Sequence, residues 1–153
     1  MCIRDSSYGA HFCEVGVNAV TGEVRVRRFL CVADGGRILN EKTARSQIIG
    51  GVTFGIGAAL TEELAYDGRT GKLANRDLAE YHIPVNADVP DIDVYFLPVL
   101  DNHANPLQSK GLGELGISGS GAAVINAIYN ACGVRVTDYP ASPDKILPHL
   151  PAM

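Results

Sequence analysis

The chain opens on alternation. Between residues 8 and 20, His11, Cys13, Val15 and Val17 take every second position, the period of a half-buried strand. Thr21-Gly22 supplies a turn, and Val24, Val26, Leu30 and Val32 continue an apolar face, so the two runs predict a β-hairpin. Asp34-Gly35-Gly36 ends it. The period then lengthens. Across residues 40–64, Ile49, Val52, Ile56, Ala59, Leu60 and Leu64 recur at three- and four-residue steps, which predicts a helix capped by Asn40 or Thr43. Gly50, Gly51, Gly55 and Gly57 lie inside that helix, each at a cost of roughly 1 kcal/mol against alanine. Such a cost implies a close approach, by another helix or by a ligand, and pattern alone does not separate the two.

Further on, a turn at residues 67–71 links short strands, and residues 73–90, with prolines at 84 and 90, read as irregular. Residues 91–100 predict a strand with Ile92, Val94 and Phe96 on one face, followed by a polar loop over residues 101–110. After Gly116 a helix is expected, with Ser118 or Ser120 as its cap and Val124, Ile125, Ile128 and Cys132 as its apolar stripe. Gly133 follows it at the position that favours glycine. Ser142-Pro143-Asp144 opens a last short helix. Helices and strands are mixed without regular β–α–β alternation, so an α+β layered fold is expected rather than a doubly wound sheet.

Composition narrows the functions. The 153 residues suffice for one domain with a core of its own. A net charge of -4 argues against a nucleic-acid partner, which would call for clustered Lys and Arg. No apolar run reaches the length of a membrane span. Cys2, Cys13, Cys31 and Cys132 form no CxxC pair, and His11, His82, His103 and His149 are scattered, so no metal bound by side chains is expected. Cys13 and Cys31 read as buried reduced thiols. The first six residues, Met-Cys-Ile-Arg-Asp-Ser, lack the apolar stretch of a signal peptide and run straight into the strand pattern. They read as foreign or disordered, with residues 7–153 as part of a domain that begins upstream.

One segment concentrates chemistry. Ser109-Lys110-Gly111-Leu112-Gly113-Glu114-Leu115-Gly116 places a single carboxylate among three glycines, just before a helix start. The glycines let the backbone approach a ligand, and a helix start suits an anion. Partial burial would raise the Glu114 pKa toward that of a working general base. The same residues fit GxGxxG, but the preceding stretch is polar and holds Pro106, so the buried strand that a dinucleotide fingerprint needs is missing. A glycine-rich turn with an exposed glutamate remains open on the motif alone.

Several segments together resemble the C-terminal part of the molybdenum-cofactor subunit of the xanthine dehydrogenase/aldehyde oxidase family. The stretch from Ser109 to Glu114 with the following Ala122-Ala-Val-Ile-Asn126 looks like that family's signature. So do Ala44-Arg-Ser-Gln47-Ile-Ile-Gly50-Gly51, Gly55-Ile-Gly57, the run from Asn75 to Pro84, and Arg135-Val-Thr-Asp138-Tyr-Pro140, all in family order. Leu115-Gly116 after the glutamate resembles the bacterial aldehyde oxidoreductase branch.

The resemblance implies that Glu114 is the general base that activates a water-derived oxygen for attack on an aldehyde carbon, or on an N-heterocycle. It implies that Gln47 hydrogen-bonds the pterin, with Gly50, Gly51, Lys110, Gly111 and Gly113 on the cofactor side; for Lys110, the neighbour of the base, an electrostatic and a purely structural role are both open. The cofactor would be molybdopterin, alone or as its cytosine dinucleotide, and it would hold the metal through its own dithiolene. Iron–sulfur and FAD centres would sit on partner subunits or domains, beside the remainder of the molybdenum subunit. A cytoplasmic location is expected, with the periplasm open through a partner's export signal. The family's subunit is several times longer, so the chain alone should not turn over. A stand-alone, non-catalytic module that binds an anion or a partner through residues 111–121 is the competing expectation.

Overall fold

The computed structural model describes residues 6–151. The stretch read as foreign, with Cys2, lies outside the described residues apart from Ser6. The hairpin forms as expected: β1 (Tyr8–Val17) pairs antiparallel with β2 (Val24–Asp34). Its inner face differs from the expected one. Glu14 pairs with Arg28 while Val15 pairs with Val26, so Arg27 bulges out of register. The bulge shifts the alternation by one residue. Val26 faces the core before it, and Phe29, Cys31 and Ala33 face the core after it, in place of Leu30 and Val32.

The first helix, α1, runs over Glu41–Leu60. Asn40 caps it, its side-chain oxygen accepting from the Thr43 N–H at 3.1 Å. It stops short of the expected end, and Leu64 is exposed. Its inner face carries Ile48, Val52, Ile56 and Ala59, so Ile48 rather than Ile49 is fully buried. Beyond residues 61–90, whose only regular pairing is the bridge between Tyr66 and Leu73, β3 (Asp91–Phe96) returns to the sheet. It pairs parallel with β2, giving the order β1-β2-β3. The expected strand over residues 91–100 is therefore shorter, ending before Pro98, which has no N–H to offer a ladder.

Two helices follow. A short α2 (Leu115–Ser118) leads into α3 (Ser120–Cys132). Neither expected serine caps: Gly119 takes the N-cap position of α3. The Ser118 hydroxyl donates to the Leu115 carbonyl at 2.8 Å, and the buried Ser120 hydroxyl donates to the Gly116 carbonyl. Val124, Ile125 and Ile128 form the buried stripe of α3, and Gly133 ends it in the left-handed conformation at φ 77°. The last helix, α4 (Pro143–Ile146), has Ser142 at its N-cap and proline in its first turn.

Helices α1 and α3 lie on one face of the three-stranded sheet, α3 against β1 and α1 against β2 and β3. Phe29, Cys31, Val94, Ile48, Val52, Val124 and Ile128 meet between the layers. This is an α+β arrangement of two layers. Among the described residues, no helix is long and apolar enough to cross a membrane.

The two core-facing cysteines are free thiols. Burial, with Glu14 beside it, pushes the Cys13 thiol up to about 12, and burial pushes Cys31 up to about 11. A thiol reacts as its thiolate, so neither cysteine of the folded protein should be alkylated by iodoacetamide near about pH 8. Stoichiometric labelling at Cys31 by peptide mass analysis would contradict this packing.

Candidate functional site

The interior glycines of α1 settle the question that pattern left open. A Cβ on Gly51 would stand 2.8 Å from the Ile117 nitrogen and 2.9 Å from the Gly116 Cα. One on Gly55 would overlap the Ser120 side chain, and one on Gly116 would overlap the Ile48 carbonyl oxygen. The backbones of α1 and α2 therefore touch, and the glycines serve helix packing at these positions. Gly57 is closed off by Glu62 and Pro84. Gly50 differs: it is exposed, and a Cβ there would meet nothing within 4 Å.

This contact positions Glu114, which directly precedes α2. Its carboxylate is exposed and makes no capping hydrogen bond to α2, so this chain's own residues do not supply the partial burial expected of it. The residue before it, Gly113, lies against α1: the Gln47 side-chain oxygen is 4.0 Å from where its Cβ would be. Gln47 and Gly50 are both exposed and one helical turn apart, so they share a face of α1. Gly111 has open space where a Cβ would point. Gln47 and Gly113 thus meet at an exposed rim between α1 and the loop before α2, with Gly50 one turn along the helix and Gly111 and Glu114 along the loop.

Two sequence-predicted residues sit differently. Gly51 is buried in the α1–α2 contact. Lys110 turns inward, with only 6% of its side chain exposed. Its Nζ lies 3.4 Å from Asp34 Oδ2 and 3.4 Å from Asp101 Oδ2, and 5.8 Å from the centre of the Tyr8 ring. Asp34 and Asp101 were not singled out in the sequence. Asp34 ends β2 and Asp101 follows β3, so only the parallel pairing of those strands brings them together.

The electrostatics of this cluster are consistent. The backbone N–H of His103 holds the Asp101 carboxyl below its usual range, and Lys110 adds to that against the opposing effect of burial. Burial works against the Lys110 charge, but Asp34 and Asp101 outweigh it and raise its pKa. The stabilisation tied to Asp101 is lost as pH falls through its depressed pKa. That tied to Lys110 is lost only as pH rises through its raised one. Asp101 and Lys110 are therefore both charged across neutral pH.

His11 also lies beneath this region, on β1. Its ring packs edge-on against Phe29 at 6.0 Å and presses on Gly119, between α2 and α3. Both ring nitrogens are buried without a hydrogen-bond partner, and burial lowers the pKa.

A separate cavity of about 680 Å³ opens at the other end of the sheet, lined by Val17, Val26, Ile56, Leu60, Pro84 and Pro90 among others. It contains none of the rim residues. Among the described residues, no three His, Cys, Asp or Glu side chains gather as a metal site. A metal at the rim would need ligands of its own, which a pterin dithiolene supplies. The residues of the rim are compatible with such a group: Gln47 offers an amide, and nothing lies within 4 Å of where a Cβ on Gly50 or Gly111 would be.

Residues 4–90 match the model of the molybdopterin cofactor-binding domain, and the chain belongs to that family. It is 55% identical over 148 residues to the aldehyde oxidoreductase molybdenum-binding subunit PaoC of Escherichia coli K12. That match covers 97% of this chain and 20% of PaoC, so the chain spans about a fifth of that relative's length. Its fold matches the crystal structure of the aldehyde oxidoreductase from Desulfovibrio desulfuricans at a TM-score of 0.85 and 35% identity, over 95% of this chain and 16% of the other. It also matches quinoline 2-oxidoreductase from Pseudomonas putida 86 at a TM-score of 0.84 and 32% identity, over 95% of this chain and 19% of the other. The likeness to PaoC runs through the loop of Glu114, which lies beyond the residues that the family model matches.

Proposed function

We propose that this chain forms the catalytic-base wall of a molybdenum-dependent oxidoreductase subunit that oxidises aldehydes to carboxylic acids, with Glu114 as the general base. The observation that carries this reading is the rim itself. The loop of Glu114 approaches α1 at Gln47, one turn from Gly50, in a chain with PaoC as a relative. When bound, the molybdenum–pterin group supplies the two-electron redox chemistry. The Gln47 amide hydrogen-bonds the pterin and holds its orientation. The Glu114 carboxylate takes a proton from a water-derived oxygen as that oxygen attacks the aldehyde carbon. Aldehyde and water thereby become acid, two protons and two electrons, and the electrons leave toward iron–sulfur and FAD centres on partner subunits or domains. The rest of the molybdenum subunit covers the rim, excludes water and desolvates Glu114.

The aldehyde assignment is tested against N-heterocycle hydroxylation, the reading that likeness to quinoline 2-oxidoreductase favours. In the intact subunit carrying this chain, kcat/KM with benzaldehyde should exceed that with quinoline by about tenfold or more, since differential transition-state binding sets the ratio. The reverse order would move the assignment to heterocycles. Gln47→Leu should lower the pterin retained after gel filtration several-fold while circular dichroism stays unchanged, because its side chain is exposed. Full retention would remove Gln47 from the site.

A further inference from the structure

Between Lys110 and Gly116 the loop of Glu114 is tied at two points, by the Ser7 hydroxyl, which donates to the Gly111 carbonyl, and by Leu112, which packs against Gly35 and the core. Gly111 contacts nothing at its Cβ position, and Gly113 meets only the Gln47 side chain at 4.0 Å. The glycines of the loop have no side chain to pack, so its register depends on how its two ends are held. Downstream, the α1–α2 contact fixes Gly116. Upstream, the chain is tied down at Lys110. The Lys110 N–H donates to the Gly35 carbonyl at 2.9 Å, Ser109 bridges to Gly36, and the Arg37 N–H donates to the Gln108 carbonyl at 2.7 Å. Asp34 is held in turn, its Oδ1 accepting from the Gly36 N–H at 3.0 Å. The Lys110 ammonium then spans to both Asp34 and Asp101, at 3.4 Å each.

We propose that Lys110 is a positioning residue for Glu114, anchoring the glycine-rich loop to the ends of β2 and β3 through Asp34 and Asp101. Two features separate this role from direct contact with a cofactor. The Lys110 side chain is only 6% exposed, and its ammonium already faces two carboxylates. The anchor also joins the loop to the two strands that only the parallel pairing brings side by side. A charge cluster paired in this way can fix the register of the chain that carries it.

The inference rests on Glu114 being the base, and its test separates the two. In the intact, cofactor-loaded subunit, Lys110→Met should raise backbone amide exchange over residues 111–117 by about tenfold. It should lower kcat by about 10–100-fold with KM within about threefold, because a misplaced base weakens the transition state rather than substrate binding. Exchange and kcat within about twofold of wild type would overturn the proposal. So would a fall in kcat with unchanged exchange, which would place Lys110 on the reacting groups, or a rise in exchange with unchanged kcat. If Lys110→Met does not accumulate folded, Asp101→Asn keeps a one-to-one pair with Asp34. It should still raise exchange over residues 111–117 several-fold, and no rise overturns the anchor. Failure of the base itself reads out elsewhere, as an active Glu114→Gln enzyme with its loop exchange unchanged.

Discussion

Replacing Glu114 by glutamine should lower kcat by about 10³-fold, the scale of a lost general base, while molybdenum and pterin contents stay at wild-type levels. Glutamine keeps the shape of the side chain and removes only its ability to take a proton. The fold should not notice: Glu114 is exposed and makes no capping hydrogen bond to α2, so stability should change by no more than about 0.5 kcal/mol. Glu114→Asp keeps the carboxylate but draws it back by one methylene. A displacement of about 1 Å can cost roughly 10²-fold, so this variant should fall between wild type and glutamine. Turnover per molybdenum by Glu114→Gln within about tenfold of wild type would remove Glu114 from the chemistry.

The second large effect concerns the seat of that residue. Gly116→Ala should destabilise the subunit by about 2–3 kcal/mol, the upper range for overpacking a close contact. The added methyl would overlap the Ile48 carbonyl oxygen. That atom is helix backbone, which cannot swing aside as the tip of a side chain can. Because α2 begins at the residue after Glu114, pushing α2 off α1 should also lower kcat. Gly50→Ala is the control. A methyl there meets nothing within 4 Å, so helix propensity alone should stabilise the subunit by about 0.5–1 kcal/mol. If Gly50 lines the pterin, the same variant should also retain less cofactor. Urea melts of the two variants giving equal midpoints would contradict this division of the α1 glycines between packing and rim.

Much of this was legible in the chain, for physical reasons that differ by element. The hairpin and α1 announce themselves through period, and Asn40 and Gly133 mark helix ends where a cap or a left-handed turn is required. The Arg27 bulge was not legible, because one inserted residue changes the inner face without changing composition. The α1 glycines signalled a close approach but not its partner; that depends on where α2 lands, far along the chain. Glu114 and Gln47 could be chosen by resemblance, and the structure brings the loop of one against the helix of the other. The resemblance places Lys110 on the cofactor side. Its inward turn follows from two aspartates that no spacing rule connects to it, since their meeting depends on β3 lying parallel beside β2.

The most direct test of the account is the position of the metal. In a crystal of the cofactor-loaded intact subunit, anomalous scattering at the molybdenum edge locates it without reference to any residue. Of all carboxylates in this chain, Glu114 should be nearest to the metal, and the pterin should lie along Gln47 and Gly50. Molybdenum at the opposite end of the sheet, against Ile56, Leu60 and Pro84, would contradict it.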